Sequence, residues 1–289
     1  MTLMEPVKAS RTVEGNPKDE LLRAERLPHI WCPGCGLGIV TGCFVEAIKL
    51  SGISPEKHVV VSGIGCTARI PGYLNLDTYH TTHGRAIPFA TGIKIANPEL
   101  EVTVIAGDGD IFNIGGNHLI HAIRRNVDLN IFCVNNFNYG MTGGQFGSTT
   151  PLGARTSTTP YGNIEASFNI PYVAAATGAP FVARWTALHM RQLLETMVRA
   201  FHVQGVAFVE VITPCPPTFG ELNNFDDALA MMEHFKTYSR IDDHADLSKI
   251  GLTMKPPDEI VVGNFVDMRK PTYHELERQI IEKAMGRSK

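Results

Sequence analysis

The 289-residue chain has no run of about 18 apolar residues, so no membrane-spanning helix is expected. It has no excess of either charge. Lys and Arg number 26 against 29 Asp and Glu, a net charge of −3. That balance gives no reason to invoke nucleic acid or an anionic membrane as a partner. Internal repeats and low-complexity segments are missing. The opening stretch, MTLMEPVKASRTVEGNPKDELL, has no apolar signal core, and Glu5, Glu14, Asp19 and Glu20 argue against a transit peptide. A cytoplasmic location is expected. Cysteine is scarce, with six in the chain. Reduced thiols are the rule in that compartment, so cysteines that cluster are expected to be ligands or redox groups rather than a structural disulfide.

What is present is a soluble globular composition, 44% hydrophobic and 19% charged, with 27 glycines. The length allows one large domain or two small ones. Residues 1–28 read as an extended arm. Apolar spacing predicts helices in GLGIVTGCFVEAIKL, GRAIPFATGIKIANPEL, IGGNHLIHAIRRN, PYVAAATGA and ALHMRQLLETMVRAFHV. Between them, KHVVVSGIGC, EVTVIAGDGD, LNIFCVNN, PFVARW and GVAFVEVITPC read as buried strands. Val/Ile-rich strands alternating with helices predict an α/β fold, a parallel sheet with helices on both faces. The main domain is expected to span 29–219. After about 220 the pattern weakens, and residues 220–289 read as a C-terminal extension, closed by a charged helix, that wraps its own domain or a partner.

In an open parallel sheet, ligands bind outside the carboxyl ends of the strands. Cys66 follows the first strand here, Gly107-Asp108-Gly109-Asp110 the next, Asn135-Asn136 the third and Cys215 the last. All of these therefore fall on one edge. GDGD and NN bracket a single β-α-β unit of about 30 residues. A carboxylate and an amide oxygen on neighbouring strand tips are hard oxygen donors, suited to Mg²⁺ carrying a diphosphate. The glycines let backbone approach the phosphate, and the following helix points its N-terminus at it. The bland alternative is a tight turn with an Asp cap and an Asn turn, the usual reading of a lone GDG. GDG and NN at this separation, followed by the glycine-rich NYGMTGGQ, favour the phosphate site over it.

Together WCPGCG, GIGC, GDGD, NNFNYGMTGGQ and TPCPP resemble the β subunits of the 2-oxoacid:ferredoxin oxidoreductases. The motifs span residues 31–217, and WCPGCG resembles the 2-oxoglutarate branch. The resemblance implies a thiamine diphosphate-binding fold and CoA-dependent oxidative decarboxylation of 2-oxoglutarate, run reversibly. It implies Asp108, the Asn136 side chain and the Asn138 carbonyl as Mg²⁺ ligands, with Gly65, Cys66, Gly107, Gly109, Asp110, Tyr139 and Thr142 around the cofactor. Met141 varies in the family and gets no role. It implies that Cys32, Cys35, Cys66 and Cys215 hold a 4Fe–4S cluster that passes electrons to ferredoxin.

Four thiolates also suit zinc. A neighbouring thiamine site favours iron, because oxidative decarboxylation must hand on electrons. Cys43 and Cys133 read as small buried hydrophobes. In HTTHGRA, His80, His83 and Arg85 precede a helix, and His83 is the candidate to touch cofactor or substrate. Arg69 could offer a fork to the distal carboxylate of a 2-oxoacid. Thiamine also needs a glutamate against its pyrimidine ring. The chain has no second domain to supply it, so an α subunit is expected, in an α2β2 assembly. Pyruvate, branched-chain or aryl 2-oxoacids, a non-oxidative thiamine enzyme with structural zinc, and a zinc-stapled interaction subunit are the rival readings.

Overall fold

The Val/Ile runs form the middle of one eight-stranded sheet in the computed structural model, which describes residues 19–253 and 259–286. Most of the expected N-terminal arm, residues 1–18, lies outside the described residues. The strands are β1 His58–Ser62, β2 Asp77–His80, β3 Glu101–Gly107, β4 Asn130–Asn135, β5 Phe181–Thr186, β6 Ala207–Ile212, β7 Ser239–Ile241 and β8 Ile260–Asp267. Their order is β2-β1-β3-β4-β6-β5-β8-β7. The first six in that order run parallel.

The helices are α1 Leu37–Leu50, α2 Ala86–Ala96, α3 Gly116–Arg125, α4 Ile170–Ala176, α5 Met190–Ala200, α6 Ala228–Tyr238 and α7 Tyr273–Ala284. Alternate residues of each central strand feed two separate cores. On one face Val60, Ile105, Phe132 and Val209 pack with Phe44 of α1 and Leu193 and Met197 of α5. On the other, Val61, Val104, Ile131 and Phe208 pack with Ala90 of α2, Leu119 and Ile123 of α3 and Ala174 of α4. Both faces are covered, which is why these strands are apolar throughout rather than alternating. Among the described residues no helix is long and apolar enough to cross a membrane.

Two features differ from the sequence reading. The sheet is mixed, and residues after 219 help to build it. β8 lies antiparallel beside β5, and β7 runs parallel beside β8. Every residue of β5 is buried, so without β8 it would be a long apolar edge open to pairing. The C-terminal segment is therefore part of the sheet rather than an appendage to a domain that ends at 219. The second feature is β2, a four-residue edge strand whose polar, mostly exposed DTYH carries no strand pattern.

Candidate active site

Register brings the motif residues together. Gly107 pairs with Val134, so Asp108 and the Asn135-Asn136 pair leave the sheet side by side. Asn135 pairs with Ile212, and the Thr213 N–H donates to the Asn135 carbonyl at 2.9 Å, which brings Cys215 out at the same edge. The β1 tip delivers Gly65 and Cys66 there too. One cleft is lined by Cys66, Asp108, Asn136, Asn138, Tyr139 and His83, with Gly65, Gly107, Gly109, Asp110, Met141 and Thr142 also in its walls.

Asp108 is buried, and burial pushes its carboxyl up to about 7. The hydroxyl of Thr149 donates to its Oδ2 and, with backbone N–H groups of Asn136 and Gly109, pulls the other way without cancelling the burial. A carboxyl in this state takes a proton or a cation. The adjoining turn is held by its own amides. Asn138 Nδ2 donates to the Asn136 carbonyl at 2.7 Å, and the Phe137 N–H donates to Asn135 Oδ1 at 3.1 Å. The Asn138 carbonyl accepts one N–H, from Gly140 at 3.1 Å, and keeps a second lone pair. The donor set of Asp108, Asn136 and the Asn138 carbonyl is all oxygen and fits a hard cation. Tyr139 OH accepts from Asn113 Nδ2 at 2.7 Å. A Cβ on Gly109 would sit 2.4 Å from the Tyr139 ring, so only glycine fits there.

Cys32, Cys35, Cys66 and Cys215 line a second cavity. Trp31 Nε1 donates to the Cys66 carbonyl at 2.8 Å and ties the Cys32 loop to the β1 tip. Gly34 has φ +76° and faces Ala228, whose Cβ would be 2.1 Å from any Cβ placed there, which explains the glycine inside C-P-G-C. Burial pushes the Cys35 thiol up to about 12 and the Cys66 thiol to about 11, and the neighbouring cysteines add to both. Thiols in that state ionise when a metal replaces their protons. The four stand around a cavity wall. Cys66, Asn136, Gly140 and Met141 belong to both cavities. Thr218 bridges them as well, since its hydroxyl donates to Asn138 Oδ1 at 3.0 Å and lies 2.9 Å from Cys215 Sγ.

Residues 35–211 match the family described as thiamine pyrophosphate enzyme, C-terminal TPP binding domain. The chain is 47% identical to the 2-oxoglutarate synthase subunit KorB of Methanocaldococcus jannaschii, covering 93% of this chain and 98% of that protein. It is 50% identical to KorB of Archaeoglobus fulgidus, covering 80% and 84%. It superposes with a TM-score of 0.81 and 31% identity on a 2-oxoglutarate:ferredoxin oxidoreductase from Magnetococcus marinus solved with 2-oxoglutarate, coenzyme A and succinyl-CoA bound. The matched regions cover 94% of this chain and 92% of that one. This chain belongs to the KorB family of 2-oxoglutarate synthase β subunits.

The other expected site residues of this KorB-family chain divide clearly. His83 lines the cleft, and its Nδ1 is hydrogen-bonded to Asp110. Asp110, expected beside the cofactor, commits its carboxylate elsewhere. It binds His83 and the backbone N–H groups of Gly84 at 2.7 Å and Ile64 at 2.8 Å. Thr142 is exposed at the cleft mouth, where its hydroxyl is 2.6 Å from Gln145 Oε1. Arg69 is exposed on the helical turn Thr67–Tyr73 and lines neither cavity. His80 and Arg85 stay outside both cavities too. Cys43 and Cys133 are buried in α1 and β4, away from the four. Thr149, Thr218 and Asn113 were not singled out from the sequence. Isolated hydroxyls and amides carry no spacing signature, and only their contacts reveal them.

Proposed function

We propose that this chain is the β subunit of a cytoplasmic 2-oxoglutarate:ferredoxin oxidoreductase that carries out reversible, CoA-dependent oxidative decarboxylation of 2-oxoglutarate. The observation that carries this reading is the wall shared by the Asp108–Asn136 cleft and the four-cysteine cavity. An electron source and an electron acceptor could share that wall.

Thiamine diphosphate supplies the carbanion-stabilising chemistry when bound. Asp108, Asn136 and the Asn138 carbonyl are the donors that would hold its Mg²⁺. Gly107 and Gly109 leave backbone open to the diphosphate. Cys32, Cys35, Cys66 and Cys215 would hold a 4Fe–4S cluster, which supplies one-electron redox chemistry. The wall shared with the Asp108–Asn136 cleft favours iron over zinc, because oxidative decarboxylation must hand on electrons and zinc has no redox chemistry. His83 and Tyr139 shape the reacting end of the cleft. Among the described residues no glutamate lines it. An α subunit would bring that group, in an α2β2 enzyme with ferredoxin as the acceptor.

The test is metal and cofactor analysis of the anaerobically purified complex, followed by turnover. About four irons per β chain, a visible band bleached by dithionite, bound thiamine diphosphate, and CoA-dependent reduction of ferredoxin by 2-oxoglutarate are expected. One zinc, no iron and no colour would overturn the electron path. Asp108→Ala should abolish cofactor retention.

A further inference from the structure

Beyond the glycine-rich run, the chain folds back against the strand tips. In the segment 147–150, GSTT, Thr149 is 1% exposed and Thr150 is 0% exposed. Their hydroxyls reach different strands. Thr149 Oγ1 donates to Asp108 Oδ2 at the tip of β3. Thr150 Oγ1 donates to the carbonyl of Phe137, 2.6 Å away, in the turn after β4. Thr150 Oγ1 also accepts the Gly147 N–H at 3.0 Å, so its one proton is free to point at Phe137.

Phe137 lies between Asn136 and Asn138 with φ +68°, a backbone state that a bulky residue holds only when its surroundings enforce it. The terminal torsion of an aspartate is soft, and a hydroxyl on Oδ2 fixes its plane. The loop is itself anchored. The Ser148 N–H donates to Asn113 Oδ1 and Asn163 Nδ2 donates to the Thr150 carbonyl, each at 2.8 Å.

We infer that Thr149 and Thr150 are positioning residues that clamp the tips of β3 and β4, so that Asp108, Asn136 and Asn138 present their oxygens to Mg²⁺ as one set. This rests on the function proposed above. Groups behind metal ligands govern affinity by holding those ligands in place, commonly by 10–100-fold. The clamp reaches both ligand-bearing strands from one four-residue turn.

The test uses the complex with its partner subunit, stripped of thiamine diphosphate and Mg²⁺. Each is titrated back with the other fixed and followed by calorimetry rather than turnover. T149V keeps the side-chain shape and removes the donor, and T149S keeps the donor. T149V is expected to raise both dissociation constants by about tenfold or more, with T149S near wild type and T150V weakened in the same direction. The unfolding midpoint of the cofactor-free protein checks the fold. If T149V fails to fold, T149A against T149S makes the same comparison. Wild-type affinity in T149V would overturn the clamp and leave the functional reading standing. Equal losses in T149S and T149V would also overturn it, since the hydroxyl would not be the determinant. A wild-type complex that takes up no thiamine diphosphate would overturn the functional reading and the clamp with it.

Discussion

Asp110 and His83 are locked together at the wall of the cleft. The ring Nδ1 meets Oδ1 of a buried carboxylate, and the ring stands edge-on to Tyr139 with centroids 5.9 Å apart. The same carboxylate takes the N–H groups of Ile64 and Gly84, so it ties the β1 tip and the approach to α2 to the end of β3. Nδ1 is occupied by that carboxylate, while the His83 side chain still lines the cleft.

Removing the carboxylate should therefore hurt more than removing the ring. D110A orphans two backbone donors, at about 1–3 kcal/mol each. H83Q leaves both of them satisfied. Denaturant unfolding should show D110A well below H83Q in midpoint. Equal midpoints would refute the bracing role of Asp110.

The cysteines should separate into two groups. Serine at Cys32, Cys35, Cys66 or Cys215 should each lower iron content and the dithionite-sensitive absorption. C43S should keep both, because Cys43 is buried in α1, outside the cavity that the four cysteines line, with its thiol 3.7 Å from the Met190 carbonyl. Iron loss in C43S, or full iron in C35S, would contradict the assignment.

Behind the site, Arg184 and Glu210 form an ion pair at 2.6 Å with both side chains 0% exposed. Glu210 Oε1 also accepts from Asn135 Nδ2 at 2.8 Å, which connects the pair to the turn that carries Asn136. E210A leaves a buried guanidinium without its counter-charge and should cost about 3–5 kcal/mol. Replacing both partners with apolar residues should cost less than the sum of the single changes. Chemical unfolding of the four proteins measures it, and additive losses would show that the pair is not coupled.

His58 should make stability fall in mild acid. It is 1% exposed, both ring nitrogens lack a hydrogen-bond partner, and its ring packs edge-on to Phe201. Burial lowers its pKa to about 4. The backbone of Ile53 opposes this weakly, without meeting hydrogen-bond geometry. The unfolded chain takes up a proton near pH 6.5. The folded chain resists until about pH 4. This contribution is therefore fully present above pH 6.5 and is lost as pH falls from 6.5 to 4. H58F should flatten that part of the stability profile, and an unchanged slope would rule His58 out as its source.

Much of the molecule was legible in the sequence because the signals were local. Five apolar runs announced β1, β3, β4, β5 and β6. The strand-end rule then put GDGD, NN, Cys66 and Cys215 on one edge, and the motifs pointed to the family that the comparisons established. β2 and β7 were illegible, since short polar edge strands have no periodic pattern. β8 was missed because nothing within 220–289 says that β5, far earlier in the chain, needs an antiparallel neighbour.

The division follows from the range of each interaction. Residue type, spacing and period determined the five central strands, the helices packed on them and the inventory of thiols and oxygens, because those depend on neighbours in the chain. Only the tertiary structure decided which groups meet: Thr149 with Asp108 across 41 positions, His83 with Asp110 across 27, and Arg184 with Glu210 across 26. A hydroxyl or carboxylate finds its partner through packing, and packing is a property of the whole folded chain.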